Sequence, residues 1–408
     1  MIMILDEQYK EWLKEQIFSN VDEDKLKYEL IEELKFLSFM TVREYTLYQK
    51  WTEIQEKYPA KKSTGCLTIF FDHPLSMLIY PELENIKNNI WIPESPDDHL
   101  KLEPTLIWTD KDKKLMNIWT TLRVFIHSQK NSPNIGKCLY FIVVDNVTNK
   151  YLGVIAISGD FMDLTARDKY IGWDRETKTN KKMISHSCIM NTCVPTQPLG
   201  FNYVGGKLLA LLAISNIVRD SWDSRYKDTL VSMTTTSLYG SFSQYQNLKY
   251  WKKMGHSSGS VRYEPSKKVI NKMKEWLRIN HTRKYWEWYV AKKESGIPLK
   301  RDYRQRSFDF TYNKLGIDKK LISTNHERGI YFCPFFTNST EYLRMEIEDK
   351  DLTDRFNYNI DNLVDIWKKY AKKRLTSVID NKKYNTNILF YDDMIGKSWD
   401  EIREKYIK

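Results

Sequence analysis

Glycine and proline are scarce, 15 and 12 among 408 residues, far too few for a collagenous or low-complexity chain. No apolar run approaches the roughly 20 residues that a membrane span needs. The longest runs are residues 138–144, 152–157 and 208–214. The first five residues are apolar, but Asp6, Glu7 and Glu11 follow at once, so neither a secretory leader nor a membrane association is expected. Cysteine is sparse as well. Cys66, Cys138, Cys188, Cys193 and Cys333 are odd in number and contain no C-x-x-C pair. A disulfide framework and a four-ligand zinc site therefore lack support, and reduced, buried thiols in a cytoplasmic protein are expected. Neither G-x-x-x-x-G-K-[ST] nor G-x-G-x-x-G occurs, which weighs against nucleotide hydrolysis and a Rossmann cofactor. No Ser-His-Asp or Cys-His arrangement can be recognised; His186 near Cys188 is proximity in sequence only.

What the chain does hold is apolar and basic. Hydrophobic residues make up 41% and aromatics 14%, enough for real cores, and the length suggests two or three domains. The net charge of +11 is uneven: residues 1–60 hold 13 acids and 8 bases, whereas residues 251–310 hold 16 bases and 6 acids. So positive a stretch suits a polyanion, with a solvated helix face as the alternative. The acidic start leaves room for a protein partner.

Residues 5–58 read as helices, with a capping box at Thr41-Val42-Arg43-Glu44 and a stripe of Leu26, Leu30, Leu34 and Leu37. Six prolines punctuate residues 59–105, a loop-rich stretch. An amphipathic helix at 113–127 leads into strands at 138–145 and 151–158, a hairpin. A polar excursion at 159–185 precedes a third strand at 187–194. A buried helix at 205–219, a strand at 229–235, a helix at 243–254 closed by Gly255, and a last strand at 260–263 follow. This order is α/β with a mixed sheet. The expected division is an N-terminal helical module with linker at 1–105, an α/β core at 106–265, and a basic, mainly helical region at 266–408.

Three places could carry chemistry, and a fourth reads as structural. Gly205 and Gly206 open a helix after a strand, where free amides and the helix dipole suit a donor phosphate, with Lys207 beside them; tight packing is the alternative. Asp160, Asp163 and Asp168 lie near Arg167, Arg175 and Glu176. They could hold a metal for phosphodiester cleavage. Alternatively Arg167 pairs with Asp168 and Trp173 plugs the loop, the reading favoured for Asp168 and Trp173, while Arg167 stays a phosphate candidate. Residues 267–306 interleave Trp276, Tyr285, Trp286, Trp288 and Tyr289 with cations. Bases can stack on such rings while Arg283, Lys284, Arg301, Arg304 and Arg306 track phosphates. Finally, 328–344 reads as strand, turn and loop, with a role in docking.

Two resemblances sharpen this picture. The run from Tyr245 through Asn247, Tyr250 and Trp251 to Gly255, set after a strand and behind the Gly205-Gly206 loop, resembles the GNAT acyltransferase superfamily. That likeness implies a GNAT-like mixed-sheet core with acyl-CoA or a related donor held by Gly205, Gly206 and Lys207. Asn247 and Tyr250, or Tyr245, would then polarise or protonate at the transferred group. The stretch Ala166-Arg167-Asp168-x-x-Ile171-Gly172-Trp173 is followed by Asn180, by Cys193-Val194-Pro195 and by Tyr239-Gly240-Ser241. Over about residues 150–264 this looks like the DruA-type domain of the Druantia anti-phage system. The setting it implies is phage–host conflict with nucleic acid, DNA first, as partner. Together the resemblances suggest transfer of a small group to a base amine. A non-catalytic DNA-binding protein with a degenerate GNAT-like fold and a metal-dependent nuclease are the alternatives.

Overall fold

The chain forms seven strands: β1 (Pro104–Trp108), β2 (Cys138–Asp145), β3 (Tyr151–Gly159), β4 (Ser187–Pro195), β5 (Ser232–Ser237), β6 (Lys252–Ser257) and β7 (Arg328–Pro334). The computed structural model describes residues 2–18, 20–59, 80–126, 128, 136–238, 243–257, 262–291, 301–323, 327–386 and 391–407. The strands form one sheet in the order β1-β2-β3-β4-β5-β7-β6. Within it β4 and β5 run parallel and the other pairs antiparallel, so the chain is a mixed α/β protein.

The helices that matter most for packing are, in chain order, α1 (Glu23–Ser38), α2 (Val42–Lys57), α3 (Lys113–Leu122), α4 (Thr165–Ile171), α5 (Gly205–Leu212), α6 (Lys267–Asn280), α7 (Arg301–Lys314) and α8 (Ile360–Asp380). They fall into two compact units. The first joins residues 1–41 with 259–326, and the second joins 42–258 with 327–408. Neither the expected boundary at 105 nor that at 265 coincides with this division, and β7 takes the sheet past residue 265.

In the second unit the sheet has two unlike faces, because side chains alternate along a strand. Ile155, Ile157, Cys188, Met190 and Met233 join Leu208, Leu209, Leu211 and Leu212 of α5 and Leu363, Trp367 and Leu375 of α8 in one apolar core. Gly153 is required there: a Cβ would lie 2.7 Å from both the Leu209 Cδ2 and the Val194 carbonyl oxygen. On the other face α3 is pinned by Trp119, whose indole N–H donates to the Ile155 carbonyl at 3.1 Å. Register pairs Ser158↔Ile189, Ser187↔Ser232 and Ile189↔Thr234 place four hydroxyls together on that face. The first unit buries the expected leucine stripe of α1 along with Val269, Ile270, Met273, Trp276 and Leu277 of α6.

Several expectations are corrected. Residues 243–251 form successive turns rather than a helix. Asn247 and Tyr250 have φ of 55° and 75°, a left-handed conformation that no α-helix accepts. The end of the stretch, including Gly255, is strand β6, paired with β7. The helix expected at 205–219 stops at Leu212, and Asn216–Tyr226 forms a separate helix. β1 was not foreseen. Of the strand expected at 260–263, residues 260 and 261 lie outside the described residues, and Arg262 makes an isolated bridge to Ser323.

Candidate nucleic-acid interface

The polar excursion after β3 folds into α4, and its charges turn inward. Arg167 is fully buried. Its Nη1 meets Asp160 at 2.6 Å as an ion pair without hydrogen-bond alignment. Nε and Nη2 donate to Asp168 at 2.8 and 2.6 Å, and Nη2 also donates to the Phe161 carbonyl at 2.7 Å. Asp160 accepts from Ser187 at 2.6 Å, from Thr234 at 2.8 Å and from the Phe161 N–H at 2.8 Å. Lys178 donates to Asp168 at 2.8 Å and to Asp163 at 3.3 Å. The hydroxyls of β4 and β5 thus solvate a buried carboxylate that neutralises a buried guanidinium. Trp173 lies over Arg167 at 5.3 Å and donates to the Leu343 carbonyl at 2.6 Å. Arg344 donates to the Ile171 carbonyl at 2.9 Å. The 328–344 segment therefore supplies β7 and then clasps α4. Arg167 is corrected as a nucleic-acid contact, since no surface polyanion reaches a fully buried group. The three aspartates are engaged by Arg167 and Lys178, and no cluster of metal-ligating side chains exists among the described residues.

The expected donor residues are brought together, but around protein. A Cβ on Gly205 would stand 2.7 Å from Leu199 Cγ, and one on Gly206 would stand 2.0 Å from Gln244 Oε1. Lys207 donates to the carbonyls of Gln244 at 3.0 Å and Gln246 at 2.6 Å. Burial lowers its pKa to about 8. Tyr245 is buried, with its hydroxyl taking the Gln244 amide at 3.0 Å, and burial pushes its pKa well up. Trp251 donates to the Ala210 carbonyl at 3.2 Å. Tyr250 stacks on Phe356 at 3.9 Å. Asn247 presents its carbonyl to Tyr370 at 3.0 Å. The glycines serve close packing of α5 against its neighbours. Tyr239, Gly240 and Ser241 lie outside the described residues.

The basic stretch meets its acids inside its own unit. Lys272 donates to Glu29 at 2.5 and 2.7 Å. Arg283 pairs with Asp6 at 2.6 Å and Glu287 at 3.1 Å, and Arg304 pairs with Glu264. Arg306 lies 5.9 Å from the Tyr303 ring. Lys284 lies near Trp288 and Phe310, at 5.5 and 5.3 Å. The side chain of Arg301 is outside the described residues. Residues 1–41 carry 10 acids against 5 bases and residues 259–326 carry 17 bases against 7 acids, which leaves this unit at +5 rather than the +10 of the basic stretch alone.

A second basic surface had not been singled out. α8 buries Leu363, Val364, Ile366, Trp367, Ala371, Leu375 and Val378, spaced at 3.6 residues. Its opposite face carries Lys369, Lys372 and Lys373, all exposed. No acid occurs between Ile366 and Ile379, and none of the three lysines has an ion-pair partner among the described residues. The helix is anchored by Trp367, which donates to the Tyr203 carbonyl at 2.9 Å, and by Arg374, which donates to the Phe201 carbonyl at 3.1 Å. The sequence signal was there, as K-K-Y-A-K-K-R on an apolar stripe.

A family model described as Druantia protein DruA matches residues 92–345. The chain belongs to the DruA family. The matched residues include all seven strands and the Asp160–Arg167 network, well beyond the 150–264 expected. The chain is 26% identical over 241 residues to Druantia protein DruA of Escherichia coli (strain UMEA 4076-1), covering 54% of this chain and 57% of that one. It thus spans little more than half the length of this curated DruA relative. No solved structure matches the chain. α8 lies outside the residues that the family model matches. Among the described residues no helix is long and apolar enough to cross a membrane.

Proposed function

We propose that this DruA-family chain acts in phage–host conflict by binding nucleic acid, DNA first, along the Lys369, Lys372 and Lys373 face of α8. The observation that carries this reading is an exposed row of lysines, without an ion-pair partner among the described residues, on a helix packed to the core by its apolar face. In the stretch 267–306, by contrast, Lys272, Arg278, Arg283 and Arg304 are each engaged by an acid of their own unit. On a helix Lys369 and Lys373 lie one turn apart, about 6 Å, comparable to the spacing of backbone phosphates. Cations so placed gain affinity by releasing counterions, without reading sequence.

The test is duplex DNA binding by the full chain as a function of salt. Replacing Lys369, Lys372 and Lys373 together by Gln should flatten the slope of log affinity against log salt by about 2.7, at about 0.9 per phosphate contact. An unchanged slope refutes the interface. Group transfer is tested beside it, although Leu199, Gln244 and the Gln246 carbonyl occupy the space at the start of α5. A new nucleoside mass in nucleic acid from expressing cells would support transfer; unmodified nucleosides would leave binding as the activity.

A further inference from the structure

In the first unit three basic side chains surround one phenylalanine. The Nζ atoms of Lys284 and Lys314 lie 5.3 and 5.7 Å from the Phe310 ring centroid. The His281 ring stands edge-on to Phe310 at 4.8 Å and 90°, and Trp276 backs it at 5.2 Å. Trp288 closes the group at 5.6 Å from Phe310. Lys284 and Lys314 are exposed, His281 is half-buried, and neither lysine has an ion-pair partner among the described residues. The His281 ring nitrogens make no hydrogen bond among them either. One carboxylate, Glu23 on α1, acts on His281, and it already accepts from the Trp276 indole at 3.0 Å. Elsewhere in the unit Lys272, Arg278 and Arg283 each have a carboxylate.

We infer that His281, Lys284 and Lys314 form an anion site for a phosphate group, the Phe310 and Trp288 rings holding the two lysines in place by cation–π contact. Like charges gathered around a low-dielectric ring repel one another, and a bound anion relieves that repulsion. Burial first, then Lys314 and Lys284, hold the imidazole below its usual pKa, against the opposing pull of Glu23. A bound anion reverses the terms from the lysines, so binding and His281 protonation favour each other. The site goes beyond the α8 interface and does not depend on it.

The experiment follows the His281 ring by NMR through a pH titration of the full chain, assigned by difference from His281→Gln. Sodium sulfate is the first probe, because it stays a dianion throughout; sodium chloride at equal ionic strength controls for screening. Saturating sulfate should raise the His281 pKa by about 1, which means about tenfold tighter sulfate binding to the protonated form. Replacing Lys284 and Lys314 by Gln should raise the pKa without sulfate and abolish the sulfate response. Oligothymidylate is the second probe. If it also raises the pKa, the site takes backbone phosphate; if sulfate alone does so, the site takes free phosphate. No rise beyond the chloride control with either probe overturns the site. The Lys369, Lys372 and Lys373 variant should keep the His281 response, so failure of one interface is distinguishable from failure of the other.

Discussion

Asp160→Ala tests the polar face of the sheet directly. The substitution removes the ion pair at 2.6 Å to Arg167 and the acceptor for Ser187, Thr234 and the Phe161 N–H. Arg167 keeps Asp168 and the Phe161 carbonyl, but Nη1 is left buried and unpaired. Breaking a buried pair from one side costs about 3–5 kcal/mol. A folded protein has about 5–15 kcal/mol in all. Arg167→Met alone should cost a comparable amount by stranding Asp160. The double variant strands neither charge, so its loss should fall short of the summed single losses by at least about 2 kcal/mol. Urea unfolding of the four proteins measures each value. Additive losses, or a loss below about 1 kcal/mol for Asp160→Ala, would show that the network is not a coupled buried unit.

Gly205→Ala should lower the urea midpoint by the equivalent of about 1–3 kcal/mol, since its Cβ would crowd Leu199 and Pro195; loss of activity in this variant would therefore report on packing and not on a donor site. Buried Lys50 has its pKa lowered to about 8 by burial, with Glu53 opposing. Between pH 8 and its ordinary value of 10.5, the unfolded chain binds more protons than the folded one, so this lysine makes stability rise with pH. Lys50→Met should remove that rise, about 3 kcal/mol, as seen in the difference between wild-type and variant unfolding curves across that range. Cys188, Cys193 and Cys333 are buried, and burial raises each thiol pKa, to about 12 for Cys193 and Cys333. Maleimide should label half-buried Cys138 before these three in the native protein, as read by mass spectrometry of peptides.

The elements with strong periodicity were legible in the sequence. The β2–β3 hairpin and β4 fall within a residue or two of their expected positions because long β-branched runs leave little choice. The 243–254 segment was misread because S-Q-Y-Q-N-L-K-Y-W-K-K-M satisfies a helical pattern locally. Positive φ at Asn247 and Tyr250 and pairing with β7 override that preference from a distance. β7 itself was read as a strand, but nothing local says that it inserts between β5 and β6. The pairing of Arg167 with Asp168 and the plug by Trp173 were foreseen; the burial of Asp160 under Ser187 and Thr234 was not, because it depends on the register of β4 with β5. The basic stretch was visible in composition, but the pairing of Lys272, Arg283 and Arg304 needed Glu29, Asp6 and Glu264 to be located in space. α8 was passed over because a lysine run of ordinary look gains meaning only once its side chains are seen exposed and the opposite face buried.

The first unit is assembled from the two sides of a long interruption, residues 1–41 and 259–326. During synthesis Leu26, Leu30, Leu34 and Leu37 leave the ribosome more than two hundred residues before α6 exists to cover them. At about 5–20 residues per second that wait is roughly ten to forty seconds, with an apolar stripe on show. Nascent chains of this protein should accordingly bind general chaperones through their first forty residues until synthesis passes residue 326. A fragment stopping short of α6 would keep that stripe uncovered for good, and would stay a chaperone client for as long as it lasts.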